Sequence, residues 1–247
     1  MVLKVLTFNV HKFRHPLRRT YLLEKLKKNL KSHELHVVCL QELIGIHPKK
    51  YSNDYNNDPL EHLADEIWQH YAYGKNAVYP KGHHGNAILS YFPINDFYNF
   101  NISNHSYEQR GILRAEILID NIHPLNVFTL HLDLTEWGRA KQIKRLIQLV
   151  NPYIEKKQPL LVMGDFNDWR LKSHTKLLHA NLQEAAAMTQ QKLFATFPSV
   201  KPVFPLDRIY FSGLNCIKAE VLKTAKWRKM SDHLPIYAEF EYDPPVT

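Results

Sequence analysis

An α/β domain is predicted by two features of the chain. Short apolar runs stop abruptly at polar residues, as buried strands do, and longer stretches carry apolar residues at helical spacing. Leu160 to Trp169, reading Leu-Leu-Val-Met-Gly-Asp-Phe-Asn-Asp-Trp, is the clearest run of the first kind, and Glu136 to Val150 the clearest of the second. With 247 residues, 45% of them hydrophobic, and no low-complexity tract, repeat or composition shift to mark a linker, a single domain over residues 1–247 is expected.

Val2 to Val10 reads as a buried strand, with Thr7 and Asn9 sharing one side near its polar end. Pro16 then precedes a helix carrying Leu22, Leu23, Leu26 and Leu30, basic on its other faces and ending before Glu34. Leu35 to Leu40 is a second apolar strand, followed directly by Gln41 and Glu42. An acid at that place is either a satisfied structural group or a ligand for a hard cation. Ile44 to His84 gives the weakest pattern: a polar loop, a helix from Pro59 to about His70, then more loop, together a candidate cover for a site. Strands return at Asn86 to Phe92, Ile94 to Phe100, Ile112 to Ile119 and Leu125 to Asp133. Arg110, just before the third of these, suits either a phosphate or an internal acid. In the fourth, alternation sets Thr129, His131 and Asp133 opposite Phe128, Leu130 and Leu132.

The amphipathic helix Glu136 to Val150, with Ala140, Ile143, Leu146, Ile147 and Val150 inward, leads back to Leu160. After Trp169 a helix is expected near Ser173 to Ala180. Phe194, Phe197 and Phe204 follow among prolines; such rings stack on bases or fill a core, and core filling is the favoured use. A strand opens at Pro205 to Phe211, and Ser231-Asp232-His233 stands before a last strand, Leu234 to Phe240.

Asp165 and Asn167 project to one side of a strand end. There a carboxylate can bind or deprotonate water beside an amide that can donate to an oxyanion, the needs of attack on a phosphoryl group. The same pair can equally turn the chain and cap the next helix. A formal charge of +8 and a pI near 9.3 suit a polyanionic partner or an anionic membrane surface. Eight basic residues against one acid fall between Lys12 and Lys31. The lysines there read as a solvated helix face; Lys12, Arg14 and Arg18, nearer the strand end, are the candidates for touching phosphate.

Only 8 glycines and no Gly-rich phosphate loop argue against nucleoside triphosphate chemistry. A zinc hydrolase is disfavoured too, since no helical histidine pair accompanies a third ligand. Cys39 and Cys216 are expected as buried free thiols. Met1 to Phe8 turns polar too soon for a signal peptide and no apolar stretch is long enough to span a bilayer, so a cytoplasmic location is expected.

Taken in order, Asn9 in Thr-Phe-Asn-Val-His, Gln41-Glu42, Gly85-Asn86-Ala87-Ile88-Leu89, His131 in Leu-His-Leu, Gly164-Asp165-Phe166-Asn167, Leu206-Asp207-Arg208-Ile209 and Ser231-Asp232-His233-Leu234-Pro235 make the chain resemble the endonuclease/exonuclease/phosphatase (DNase I-like) superfamily over nearly its whole length. With Thr196-Phe197-Pro198-Ser199 and short loops, it looks like the small bacterial stand-alone members. The resemblance implies a four-layer α/β sandwich, two packed mixed sheets flanked by helices, with the site at one end between the sheets. It implies that Glu42, with Asn9 and Asp232, holds one Mg²⁺ or Mn²⁺. Asp165 would activate water, Asn167 would donate to a non-bridging oxygen, and Asp207 would fix and charge His233. His131 would contact the phosphate or help the leaving group. Arg110, Asn86, Lys12 and Arg14 are the candidate substrate contacts.

The expected activity is Mg²⁺-dependent hydrolysis of a phosphate-containing substrate, with nucleic acid first among the candidates. Lipid or sugar phosphates come second, because neither an exposed apolar hairpin nor a compact basic pocket is identifiable. A catalytically silent binding module is the alternative from another class.

Overall fold

Each sheet is built around one parallel pair of strands, and those two pairs bring the polar strand ends together. The computed structural model describes residues 1–13, 23–45, 59–64, 68–79, 82–105 and 109–242. Among them stand two six-stranded mixed sheets. The first runs, in spatial order, β11 (Asn215–Val221), β12 (Ile236–Glu241), β1 (Val2–Asn9), β2 (Val37–Ile44), β4 (Gly82–Ser90) and β3 (His70–Tyr79). The second runs β5 (Ile94–Asn101), β6 (Gly111–Ile119), β7 (His123–His131), β8 (Leu160–Asp165), β10 (Asp207–Ser212) and β9 (Gln183–Glu184). The helices are α1 (Leu23–Lys31), α2 (Pro59–Ala64), α3 (Glu136–Glu155), α4 (Lys172–His179), α5 (Ala185–Gln190) and α6 (Ala225–Arg228).

Strands β1 and β2 are parallel, as are β7 and β8, and the neighbours around each pair are antiparallel. A parallel pair needs a crossover, and α1 and α3 lie on the two crossovers. Parallel strands also finish on the same edge, so Asn9 pairs with Gln41 and His131 with Asp165. Antiparallel β10 then sets Asp207 opposite Asp165 on its other side.

Period-two alternation explains why β8 is apolar throughout. Leu161 and Met163 enter the core shared by the two sheets, while Leu160 and Val162 meet Ile143, Leu146 and Leu177 of α3 and α4. Helix α1 closes the outer face of the first sheet with Leu23, Leu26 and Leu30. The four-layer sandwich is therefore as expected.

Four local readings need correction. His70–Tyr79 is an edge strand and β4 already begins at Gly82, where loop was expected; the helix is described over Pro59–Ala64 and His70 belongs to the strand, not to the helix. The aromatic and β-branched residues Tyr71, Tyr73 and Val78 favour an extended chain, but an edge strand interrupted by a bulge between Lys75 and Ala77 keeps no clean apolar face. Gln41 and Glu42 lie within β2, not beyond it, because a bulge between Leu40 and Leu43 lets pairing with β4 resume. Helix α3 extends to Glu155, and its buried face includes Arg139 and Gln142, with Ala140 and Ile147 only half-buried. Of the two thiols, Cys39 is buried, whereas Cys216 on β11 is partly exposed. No helix among the described residues is long and apolar enough to cross a membrane.

Two devices hold the end of β8. Gly164 has φ +149°, and a Cβ there would lie 2.1 Å from the Leu130 carbonyl oxygen on β7. Behind the loop that follows, Arg208 and Asp168 form an ion pair at 3.1 Å with both side chains 1% exposed. Arg208 Nη2 also donates to the Asp168 carbonyl at 2.7 Å, and Asp168 Oδ2 accepts from the backbone of Ser173 and His174 at the start of α4. The pair clamps the Asp165–Asp168 turn onto β10.

Gly164→Ala is expected to lose about 2–3 kcal/mol of stability, because the neighbouring backbone cannot yield. A lower urea midpoint at unchanged m-value reads it. Arg208→Met should cost about 3–5 kcal/mol by stranding a buried carboxylate. The double variant Asp168→Asn/Arg208→Met should lose less than that single change in the same unfolding assay.

Candidate active site

The ends of β1, β2, β7, β8 and β10 converge, and Asp165 is at their centre. Asp165 is 1% exposed. Its Oδ1 accepts from the Asn167 backbone N–H at 2.9 Å, and its Oδ2 accepts from Asn9 Nδ2 at 3.1 Å. The Asn9 bond joins the first sheet to the second. The same Asn9 nitrogen lies 3.3 Å from Glu42 Oε1, and Asn9 Oδ1 accepts from the His11 N–H. A second tie crosses the sheets one step inward, where Gln41 Nε2 donates to Thr129 Oγ1 at 2.9 Å.

Two imidazoles flank Asp165 Oδ2. His131 Nε2 is 3.4 Å away and His233 Nε2 is 3.8 Å away. Arg110 Nη1 lies 2.8 Å from His131 Nδ1. A guanidinium only donates, so this nitrogen accepts and the ring hydrogen of neutral His131 sits on Nε2. Burial, then the Arg110 charge, lowers the His131 pKa well below its ordinary value, so this ring is neutral. His233 is the opposite case. Burial works against its charge, but the Asp207 and Asp165 carboxylates outweigh that and raise its pKa, holding it protonated. Its Nδ1–H donates to Asp207 Oδ2 at 2.8 Å, and Thr196 Oγ1 donates to the same oxygen at 2.6 Å. Burial also pushes the Asp165 carboxyl above the usual carboxylate range, with the His233 charge opposing and Asp207 adding to the rise. Environments that separate titratable neighbours in this way mark division of acid and base roles.

Backbone conformation singles out the same place. Glu42, at the β2 bulge, has φ +55°, and Asn167, His11 and Lys12 also have positive φ of 48°, 44° and 57°. Asn tolerates the left-handed region; for Glu it is a cost, and here it turns the carboxylate into the pocket. Lys12 Nζ stands 3.7 Å from Glu42 Oε2, and Asp232 Oδ1 pairs with His11 Nδ1 at 3.1 Å. The cavity measures about 410 Å³. Its polar side includes Glu42, Arg110, His131, Asp165, Asn167 and His233, and its other side is apolar.

A hard divalent cation fits these residues. Glu42, Asp165, Asp207 and Asp232 offer carboxylate oxygens, Asn9 an amide oxygen that also accepts from the His11 N–H, and Asp207 Oδ1 is buried with no hydrogen-bond partner among the described residues. Among the described residues, Asp165, Asp207 and His233 bring ligand atoms within 4.8 Å of one another. The Nδ1 of His233, however, already donates to Asp207 Oδ2 at 2.8 Å and so has no lone pair for a metal. Glu42, whose oxygens make no contact shorter than 3.3 Å with a described side chain, is the better anchor, with Asn9 and Asp232 beside it.

Of the expected residues, the structure brings Asn9, Lys12, Glu42, Arg110, His131, Asp165, Asn167, Asp207, Asp232 and His233 to this one end. Asn86 is fully buried opposite the Gln41–Glu42 bulge and donates to the Gly111 carbonyl at 3.0 Å, tying β4 to β6 beside Arg110; its Oδ1 makes no hydrogen bond among the described residues. Arg14 and Arg18 lie outside the described residues. Asn167 Nδ2 is already engaged with the Leu132 carbonyl at 2.9 Å, leaving one amide hydrogen for a ligand. Sequence reasoning missed Thr196 and His11, since nothing in their spacing links them to Asp207 and Asp232. It also gave Phe197 and Phe204 to the core; only Phe194 is buried there, and the other two line the pocket because their loop crosses its mouth.

Comparison with known proteins agrees with this architecture. The chain is 38% identical over 241 residues, 96% of its length and 95% of the relative's, to the uncharacterized protein YbhP of Escherichia coli strain K12. It superposes on an endonuclease/exonuclease/phosphatase from Beutenbergia cavernae with TM-score 0.81 at 17% identity, covering 100% of this chain and 73% of that one. On the human Nocturnin catalytic domain with bound sulfate the TM-score is 0.76 at 19% identity, covering 98% and 94%. The model of the endonuclease/exonuclease/phosphatase family matches residues 6–233, and the chain belongs to that family.

Proposed function

We propose that the protein is a divalent-cation-dependent phosphodiesterase acting on nucleic acid. The observation that carries this reading is the in-register row His131, Asp165, Asp207, with a neutral and a cationic imidazole both facing Asp165. Glu42, Asn9 and Asp232 would hold the cation, which when bound supplies positive charge to the phosphoryl oxygens. Asp165 orients the attacking water and takes its proton at Oδ2 as the new P–O bond forms. The protonated Nε2 of His233 and the remaining Asn167 amide hydrogen face the charge that develops on the non-bridging oxygens. Neutral His131 donates a hydrogen bond from Nε2 to the leaving oxygen, which takes its proton from solvent water as the ester P–O bond breaks. The local cations Lys12 and Arg110 and the chain's formal charge of +8 support a polyanionic strand as substrate.

Hydrolysis of a single-stranded oligonucleotide by the wild type should require Mg²⁺ or Mn²⁺ and stop with EDTA. Asp165→Asn and His233→Gln should each lower kcat by about 10²–10⁴-fold, with the melting temperature little changed for Asp165→Asn and lowered for His233→Gln, which strands the buried Asp207 carboxylate. Glu42→Gln should raise the Mg²⁺ concentration needed for half-maximal rate. Equal inactivity of wild type and Asp165→Asn on nucleic acid, sugar phosphates and a bis-aryl phosphodiester would end the proposal, as would hydrolysis confined to sugar phosphates or lipids.

A further inference from the structure

Taken alone, the lysines of α1 are a solvated helix face, but the fold sets a second basic segment beside them. Residues 223–229 read Lys-Thr-Ala-Lys-Trp-Arg-Lys, four basic residues and no acid, and carry α6. Asn29 Nδ2 of α1 donates to Met230 Sδ at 3.4 Å, and the His33 imidazole stands 5.6 Å from the Trp227 ring. Trp227 is buried edge-on against Phe8 of β1, so both segments lie on the outer face of the first sheet.

The acids around this face are already used. Glu24 pairs with His62, Glu34 with Lys4, and both Glu220 and Glu239 with Lys218. Lys25, Lys28, Lys223, Lys226 and Lys229 are exposed and form no ion pair among the described residues. Lys25 and Lys28 are three residues apart on one helix, as are Lys226 and Lys229. Like charges so placed repel, a cost that a polyanion removes on binding.

Two further features identify the occupant. No large apolar side chain is exposed on α1 or over residues 222–230, so the face lacks the apolar anchor by which a helix holds to a bilayer surface. The face also leads into the catalytic pocket. Lys229 is three residues before Asp232, which keeps their Cα atoms within about 11 Å, and Ser231 between them donates to the Asn9 carbonyl. Resting on the phosphodiesterase reading above, we propose that the α1–α6 face binds the sugar–phosphate backbone of the strand whose scissile phosphate lies at Asp165. Long strands engage both the face and the pocket, and short ones only the pocket.

The test compares the full chain with Lys25→Gln/Lys28→Gln/Lys226→Gln/Lys229→Gln and with Lys144→Gln/Lys156→Gln/Lys157→Gln/Lys176→Gln. The second variant removes equal charge around α3 and α4, on the far side of the molecule. Fluorescence anisotropy of a labelled 20-nucleotide single strand in EDTA reads binding without turnover, and thermal melting checks that each variant is folded. Four phosphate contacts contribute about −2.8 to the slope of log K against log salt, roughly fiftyfold in affinity between 50 and 200 mM. The first variant should lose about that much slope and bind at least about tenfold more weakly at 50 mM, whereas the second should change by less than about threefold. With Mg²⁺, KM for the 20-nucleotide strand should rise in the first variant while kcat/KM for a dinucleotide stays unchanged. Equal losses in the two variants overturn the proposal, and if the dinucleotide is still cleaved the phosphodiesterase reading stands without it. Loss of co-sedimentation with phosphatidylglycerol vesicles in the first variant, with its strand binding intact, overturns it in favour of a membrane surface. Strand binding lost only in the first variant, with no phosphodiester cleaved by the wild type, supports the backbone-binding face and removes the phosphodiesterase reading.

Discussion

The hydrogen bond from Asn9 to Asp165 spans 156 residues of chain and the gap between the two sheets. Both groups are buried, and a buried carboxylate without a partner is costly enough to change its protonation state or open the structure. The relative position of the sheets at this end is therefore fixed by polar groups as well as by the apolar core between them. Gln41 and Thr129 repeat the arrangement further in. Because each sheet ends a parallel pair at this edge, a bond between the pairs aligns all four strand ends at once.

That alignment places two histidines with the same intrinsic basicity in opposite electrostatic settings. Both rings are nearly buried and both face the same carboxylate oxygen. What separates them is the group behind each: a guanidinium behind His131, a carboxylate behind His233. Thr196, reaching Asp207 from the aromatic loop, holds the second of these in place. Arg208, one residue further along β10, secures the turn that carries Asn167. The polar network behind the pocket is thus continuous with the reactive groups in front of it.

Much of this was legible in the chain because strands buried on both faces are apolar until they reach a site, so Asn9, Asp165, Asp207 and His233 stood out by interrupting that pattern. Three kinds of feature were not legible. Edge strand β3 was read as loop, since exposure and a bulge remove its alternation. Buried Arg139 and Gln142 look like surface residues of α3 until their partners, the carbonyls of Asp133, Leu134 and Ile102, are known. Phe197 and Phe204 have the composition of core residues, and only the path of their loop makes them pocket wall. The bond from Asn86 to a backbone carbonyl between the sheets is of the same kind: a polar residue at the start of an apolar run does not show its partner in the sequence.

The left-handed backbone at Glu42 has a consequence for how such a chain can be altered. A glycine or asparagine would relax there, gaining on the order of 1 kcal/mol or more, but would remove the carboxylate the bulge exists to aim. If Glu42 holds the cation as proposed, variants screened for heat resistance alone would drift toward just that exchange and lose activity. Directed improvement of this scaffold therefore has to select on turnover from the first round.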